Sequence, residues 1–173
     1  MLAWGNRVSA GFVAKVRVIC ASLAIDPNFL MACMAFESAE TFRADIRNAA
    51  GSGAVGLIQF MPTTAAALGT TTEALASLSA EDQLAYVAKY FSPWARRLNS
   101  LGDVYGVILW PGMIGKPDDA VVFRQNDSTH PKLYIQNRGL DFNQDGLITK
   151  AEIVARVKAE LNRGMSPANA LPN

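Results

Sequence analysis

Histidine is almost missing from this chain: His130 is the only one in 173 residues. It precedes Pro131 in a polar stretch without a partner nearby in sequence, so we expect it on the surface or in a loop. Cysteine is nearly as scarce. Cys20 and Cys33 lie far apart in apolar, helix-like stretches, without the paired spacing of a cysteine metal site, and are expected as buried free thiols rather than a disulfide. Charge of either sign is low, at 18% of residues, and nearly balanced, with a net charge of +1. No global field therefore points to nucleic acid as a partner. Long apolar runs are also lacking: nothing approaches the roughly 18 uncharged residues of a membrane span. Arg7, Lys15 and Arg17 interrupt the N-terminal apolar pattern, so it does not read as a signal peptide. The expectation is synthesis in the cytoplasm, with any action elsewhere depending on another delivery route.

Half the residues are hydrophobic, which suits a globular chain with a substantial core. Convincing strand patterns and repeats are absent, and the periodicity is helical. Val8, Phe12, Val13, Val16, Ile19, Cys20 and Leu23 mark one amphipathic helix. Asp26-Pro27 starts a second, which runs from Asn28 to about Ser38 and is apolar nearly all round, as a central buried helix is. Residues 39–55 read as irregular, with short extended segments. Met61-Pro62-Thr63 opens a helix through Leu68, and Thr71 or Thr72 caps a short one through Leu78. Ser79 with Asp82 caps another, which carries Leu84, Val87, Tyr90 and Phe91 on one face. A short apolar helix covers Asp103 to Leu109. Residues 115–139 read as loop. A final helix runs from Lys150 to Arg163, and the tail from Ser166 reads as loose. The class is mainly α, divided as 1–125 and a C-terminal appendage at 126–173.

The most specific short signal is "DFNQDGLITKAE", Asp141 to Glu152. Asp141, Asn143 and Asp145 place oxygens at positions one, three and five of a calcium-type loop. Gly146 permits the turn at six, Leu147 offers a carbonyl at seven, and Glu152 closes the loop at twelve. The plainer alternative is an Asp/Asn-rich turn that caps a helix. Because the loop is single and the segment before it makes a poor entering helix, we expect an EF-hand-like structural site for one calcium ion rather than a switch.

A second feature is "FES" at Phe36 to Ser38. Glu37 ends the most apolar helix, where desolvation and the negative end of the helix dipole both raise a carboxyl pKa. A glutamate held protonated near neutral pH is suited to general acid work. Taken alone, it reads more readily as an exposed helix-end residue.

Glu37-Ser38, then Phe42, then "GAVGLIQFMPTTA" from Gly53 to Ala65 resembles the soluble lytic transglycosylase and goose-type lysozyme superfamily over about Val8 to Ile114. Its third motif, an Ala-Tyr-Asn-Ala-Gly-like segment, has its best counterpart in Val104-Tyr105-Gly106, with glycine in place of asparagine. The glycine pair usual after Glu-Ser is replaced by Ala39-Glu40. "WPGMIGKPDD" and the late calcium-type loop look like a phage-associated variant. The resemblance implies a lysozyme-like fold with a small irregular or β-hairpin segment. It implies cleavage of the β-1,4 bond between N-acetylmuramic acid and N-acetylglucosamine in peptidoglycan glycan strands, without a cofactor for the chemistry. Glu37 would be the acid and then the base, giving a 1,6-anhydro product. Ser38, Gln59 and Tyr105 would meet the substrate. The structural alternatives are a helix-end cap for Ser38, a loop-satisfying amide for Gln59 and core packing for Tyr105. Glu40 and Asp45 are candidates for a second carboxylate. A hydrolytic lysozyme using the same site, and a non-catalytic wall-binding protein, stay open. Action in the periplasm or cell wall would need carriage in a virion or a membrane-piercing partner.

Overall fold

The computed structural model describes residues 1–49 and 51–172. Helix α1 (Ala10–Leu23) starts where Ser9 accepts the Phe12 N–H, and it buries Phe12, Val13, Val16, Cys20 and Leu23. Helix α2 (Pro27–Glu37) is capped by Asp26, with Pro27 in its first turn, where the missing N–H costs nothing. Leu30 to Ala35 are buried without a break, so α2 is the central rod that the sequence pattern predicts. Cys20 and Cys33 are free and buried; loss of hydration pushes the Cys20 thiol up to about 12.

Three helices follow on one side: α3 (Pro62–Ala67), α4 (Thr72–Ala76) and α5 (Ala80–Phe91). Ser79 accepts the Asp82 N–H and donates to its carboxylate, as the Ser79/Asp82 pairing suggests. Helix α6 (Leu101–Leu109) opens on Ser100 rather than at Asp103, since Ser100 supplies the side-chain cap that the apolar pattern alone does not reveal.

Two expectations change after α6. Residues 115–139 are not all loop: they form strand β1 (Val121–Arg124) and helix α7 (Pro131–Asn137). Strand β1 pairs antiparallel with β2 (Leu147–Thr149), the back half of the calcium-type loop. Neither strand shows its partner in local sequence, which is why they escape periodicity. His130 stays exposed, as expected, with its ring edge-on to Trp110. The tail is not loose as far as it is described: Leu171 and Leu2 exchange backbone hydrogen bonds at 2.9 Å, and Asn6 binds Asn169 and Ala170.

Helix α8 (Lys150–Gly164) runs against α2 and α6. Ile148, Ile153 and Val157 belong to the same buried cluster as Met34, Val104 and Tyr105. The segment expected as an appendage from 126 thus shares its core with the rest. Among the described residues, no single helix is long and apolar enough to cross a membrane.

Candidate active site

Glu37 is the last residue of α2 and is half-buried. Loss of hydration raises its carboxyl pKa to about 7, and the Tyr105 hydroxyl pulls in the other direction. The tyrosine comes from α6 and is itself buried. Its ring packs edge-on to Phe36, centroids 5.7 Å apart, so the residue before the glutamate fixes the ring that serves it. The Tyr105 hydroxyl is pushed well above its usual range, first by burial and then by the Glu37 charge. It therefore keeps its proton where Glu37 titrates.

Ser38 is fully buried. Its hydroxyl donates to the Met34 carbonyl at 2.6 Å and accepts the Phe42 N–H at 3.0 Å. Both hydrogen-bonding faces of the hydroxyl are engaged within the protein and water does not reach it, an arrangement that fits the helix-end cap weighed beside a substrate contact. Ser38 closes the turn after the acid. That turn is unusual, because Ala39, Glu40 and Phe42 all adopt positive φ, a region costly for residues with a Cβ. The Glu40 N–H to the Ala35 carbonyl at 2.7 Å and the Thr41 hydroxyl to the Ser38 carbonyl at 2.7 Å hold it. The Phe42 ring is wedged between Trp4 and Phe12. Tertiary contacts replace the conformational freedom that glycines would give at 39 and 40.

Gln59 sits at φ 53° in a tight loop closed by Val55 and Phe60. Its amide donates to the carbonyls of Ile46 and Gly56 at 3.3 and 3.2 Å. Gln59 also lines a cavity of about 40 Å³ with Ile58, Phe60, Met61, Thr64, Tyr90 and Ile108. Tyr90 is close enough to Glu37 for its charge to raise the tyrosine hydroxyl pKa, after burial does. The structure thus sets the Tyr105 ring against Phe36, the neighbour of Glu37, while Gln59 shares its cavity with Tyr90. Larger cavities, of about 470 and 960 Å³, lie away from Glu37.

Glu40 and Asp45 are engaged elsewhere: Glu40 pairs with Arg163 at 2.7 Å and Asp45 with Arg43 at 2.7 Å.

Two residues that hold the site escape sequence reasoning. Gln83 is fully buried on α5. It accepts the Leu57 N–H at 2.8 Å and donates to the carbonyls of Ala44 and Leu75. A Cβ on Gly56 would come within 2.2 Å of its oxygen, so the glycine of "GLIQ" makes room for this amide. A glutamine interrupting an apolar helix face was the available signal. Tyr90, read only as an apolar-face residue, donates its hydroxyl proton to the Val107 carbonyl at 2.7 Å. Gly106, at the asparagine position of the third motif, is covered: a Cβ there would lie 3.1 Å from Met113 and 3.2 Å from Ile114. The "WPGMIG" turn occupies the space into which a longer side chain would project.

In the calcium-type loop, Asp141 accepts the N–H groups of Asp145 and Gly146, Asn143 accepts that of Asp145, and Asp145 accepts that of Leu147. Gly146 takes the turn at φ 81°. The Tyr134 hydroxyl donates to Asp141 at 2.6 Å. Glu152 faces Thr149 in a capping box, accepting from its N–H and hydroxyl at 2.8 Å each. Among the described residues, no three His, Cys, Asp or Glu side chains are gathered as a metal site. The oxygen donors suit a hard cation in type and order, but Glu152 must leave its cap to join them.

A family model described as Transglycosylase SLT domain matches residues 19–105, from α1 to the tyrosine beside Glu37. No curated protein and no solved structure matches the chain.

Proposed function

We propose a mechanism for a chain that belongs to the transglycosylase SLT domain family, and is therefore a peptidoglycan-cleaving glycosidase of the lytic transglycosylase and lysozyme-like kind: Glu37 protonates the glycosidic oxygen between N-acetylmuramic acid and N-acetylglucosamine. The observation that carries this is a carboxyl held near pKa 7 at the end of the buried helix α2, with a tyrosine hydroxyl beside it. At neutral pH a substantial fraction is protonated and ready to donate. As the bond breaks, positive charge develops on the muramyl C1, and the sugar's own N-acetyl oxygen offsets it. Glu37 is then a carboxylate, steadied by the Tyr105 hydroxyl. It takes the proton of the muramyl 6-hydroxyl, whose oxygen bonds to C1 and closes a 1,6-anhydro ring. No water is consumed. Arginine pairing of Glu40 and Asp45 supports a one-glutamate route over one with two carboxylates flanking the bond.

Gln59 and the backbone near Ile58 line the sugar cleft in this reading, and Tyr105 closes its wall. Asp141, Asn143, Asp145, the Leu147 carbonyl and Glu152 would hold one calcium ion, which orders the start of α8 and takes no part in the chemistry. Delivery to the wall by a virion or a membrane-piercing partner completes the proposal. Digestion of purified peptidoglycan followed by mass spectrometry tests the product: muropeptides lighter by one water than the hydrolytic ones support the anhydro route. Reducing-end products of full mass would overturn it in favour of a lysozyme.

A further inference from the structure

One ion pair among the described residues has both side chains almost wholly buried, and it lies outside the proton-transfer chemistry. Lys150, the first residue of α8, places its ammonium 2.7 Å from the Asp103 carboxylate on α6, with both side chains almost wholly buried. The same ammonium donates to the Lys116 carbonyl at 2.8 Å. Asp103 also accepts the N–H groups of Gly115 at 2.8 Å and Asn99 at 3.3 Å. Such a pair gives little net stability, because both charges lose their hydration; its well-attested use is to fix one arrangement over others.

What it fixes here is α6. A Cβ on Gly102 would lie 2.6 Å from the Lys150 side chain and 3.1 Å from Val154, so α6 and α8 pack closely here and a larger residue would press on the Lys150 side chain. Two residues beyond Asp103 stands Tyr105, the group that acts on Glu37. At its other end, α8 reaches the turn after the acid through Arg163 and Glu40. That second link is partly exposed and correspondingly weak.

We propose that Lys150 is a positioning residue for glycosidic cleavage: its buried pair with Asp103 sets α6 so that Tyr105 meets Glu37, which makes the helix beyond the family match part of the catalytic apparatus. The proposal rests on the reading of Glu37 as the acid. The groups facing Glu37 are Tyr105 from α6, Tyr90 from α5 and Cys33 from its own helix, with Arg156 of α8 acting on Tyr105. The Tyr105 ring is held edge-on to Phe36, the neighbour of Glu37, with centroids 5.7 Å apart, and its hydroxyl acts to lower the Glu37 pKa. Loosening this placement raises that pKa, so the pH at which activity is lost on the alkaline side moves upward.

The test measures kcat against pH on purified peptidoglycan for the full chain carrying Lys150→Met, Lys150→Arg, Tyr105→Phe and the Lys150→Met/Tyr105→Phe pair, with Glu37→Gln alongside. Lys150→Met should lower kcat by up to about a hundredfold, the scale of a small misplacement of reacting groups, and shift the alkaline limb upward as Tyr105→Phe does. The pair should shift it no further than Tyr105→Phe alone, and Lys150→Arg should restore part of the wild-type profile. If Lys150→Met does not fold, Asp103→Leu/Lys150→Met is read in its place, because it leaves no buried unpaired charge. A lower melting temperature with an unmoved pH profile, or additive shifts in the pair, overturns the proposal. An active Glu37→Gln overturns the assignment of the acid instead, so the two failures are distinct.

Discussion

Glu37 is a carboxyl whose position works against its own charge. Its pKa near 7, against about 4.3 in an unfolded chain, means the folded state binds the proton more tightly. Its contribution to stability is therefore fully present below about pH 4 and is lost as pH rises towards 7, by roughly 3–4 kcal/mol. Glu37→Gln should remove that slope, which chemical denaturation at pH 4 and pH 8 would reveal as a gain confined to the higher pH. Activity has the same origin with the opposite consequence: turnover should decline above pH 7 as the acid ionises. Tyr105→Phe should move that decline upward. The glutamate, the tyrosine and the glutamine were legible as motif residues. The role of Ser38 was not, because a serine after a helix end serves equally as a cap or a ligand, and its complete burial is invisible in local sequence.

At the scale of elements, the site depends on turns that local sequence disfavours and tertiary packing enforces. Residues at positive φ after Glu37 lack the glycines that would make the turn easy. Ser38→Ala would leave the buried Phe42 N–H without an acceptor, a cost of about 1–3 kcal/mol. The expected outcome is a lower melting temperature together with reduced turnover, since the same turn seats the acid. Gln83→Met should behave similarly by orphaning the Leu57 N–H, again at about 1–3 kcal/mol. Helices with strong caps, such as α2 with Asp26 and α5 with Ser79, were readable because capping is local chemistry. Strand β1 was not, because its partner β2 lies across the α7 segment, and pairing between distant segments leaves no periodic trace in so short a strand.

The whole molecule is organised around α2, with α8 returning from the far end of the chain to pack against it and against α6. A division at residue 125 was a fair reading of composition, since the polar stretch there resembles a linker. It does not coincide with a break in the core, because Ile148, Ile153 and Val157 join it from the other side. Calcium should report on this arrangement. If Asp141, Asn143, Asp145 and Glu152 bind the ion, saturation at about a hundred times its Kd should stabilise the fold by about 2.7 kcal/mol. Calorimetry with calcium, and then with a chelator, would show a rise in Tm that Glu152→Gln diminishes. The central claim, that one glutamate at the end of α2 cleaves the glycan, is tested most directly by turnover of purified peptidoglycan with wild type and Glu37→Gln at pH 6. A fall of about a hundredfold or more in a folded variant is the predicted result; equal solubilisation of the wall by both proteins would contradict it.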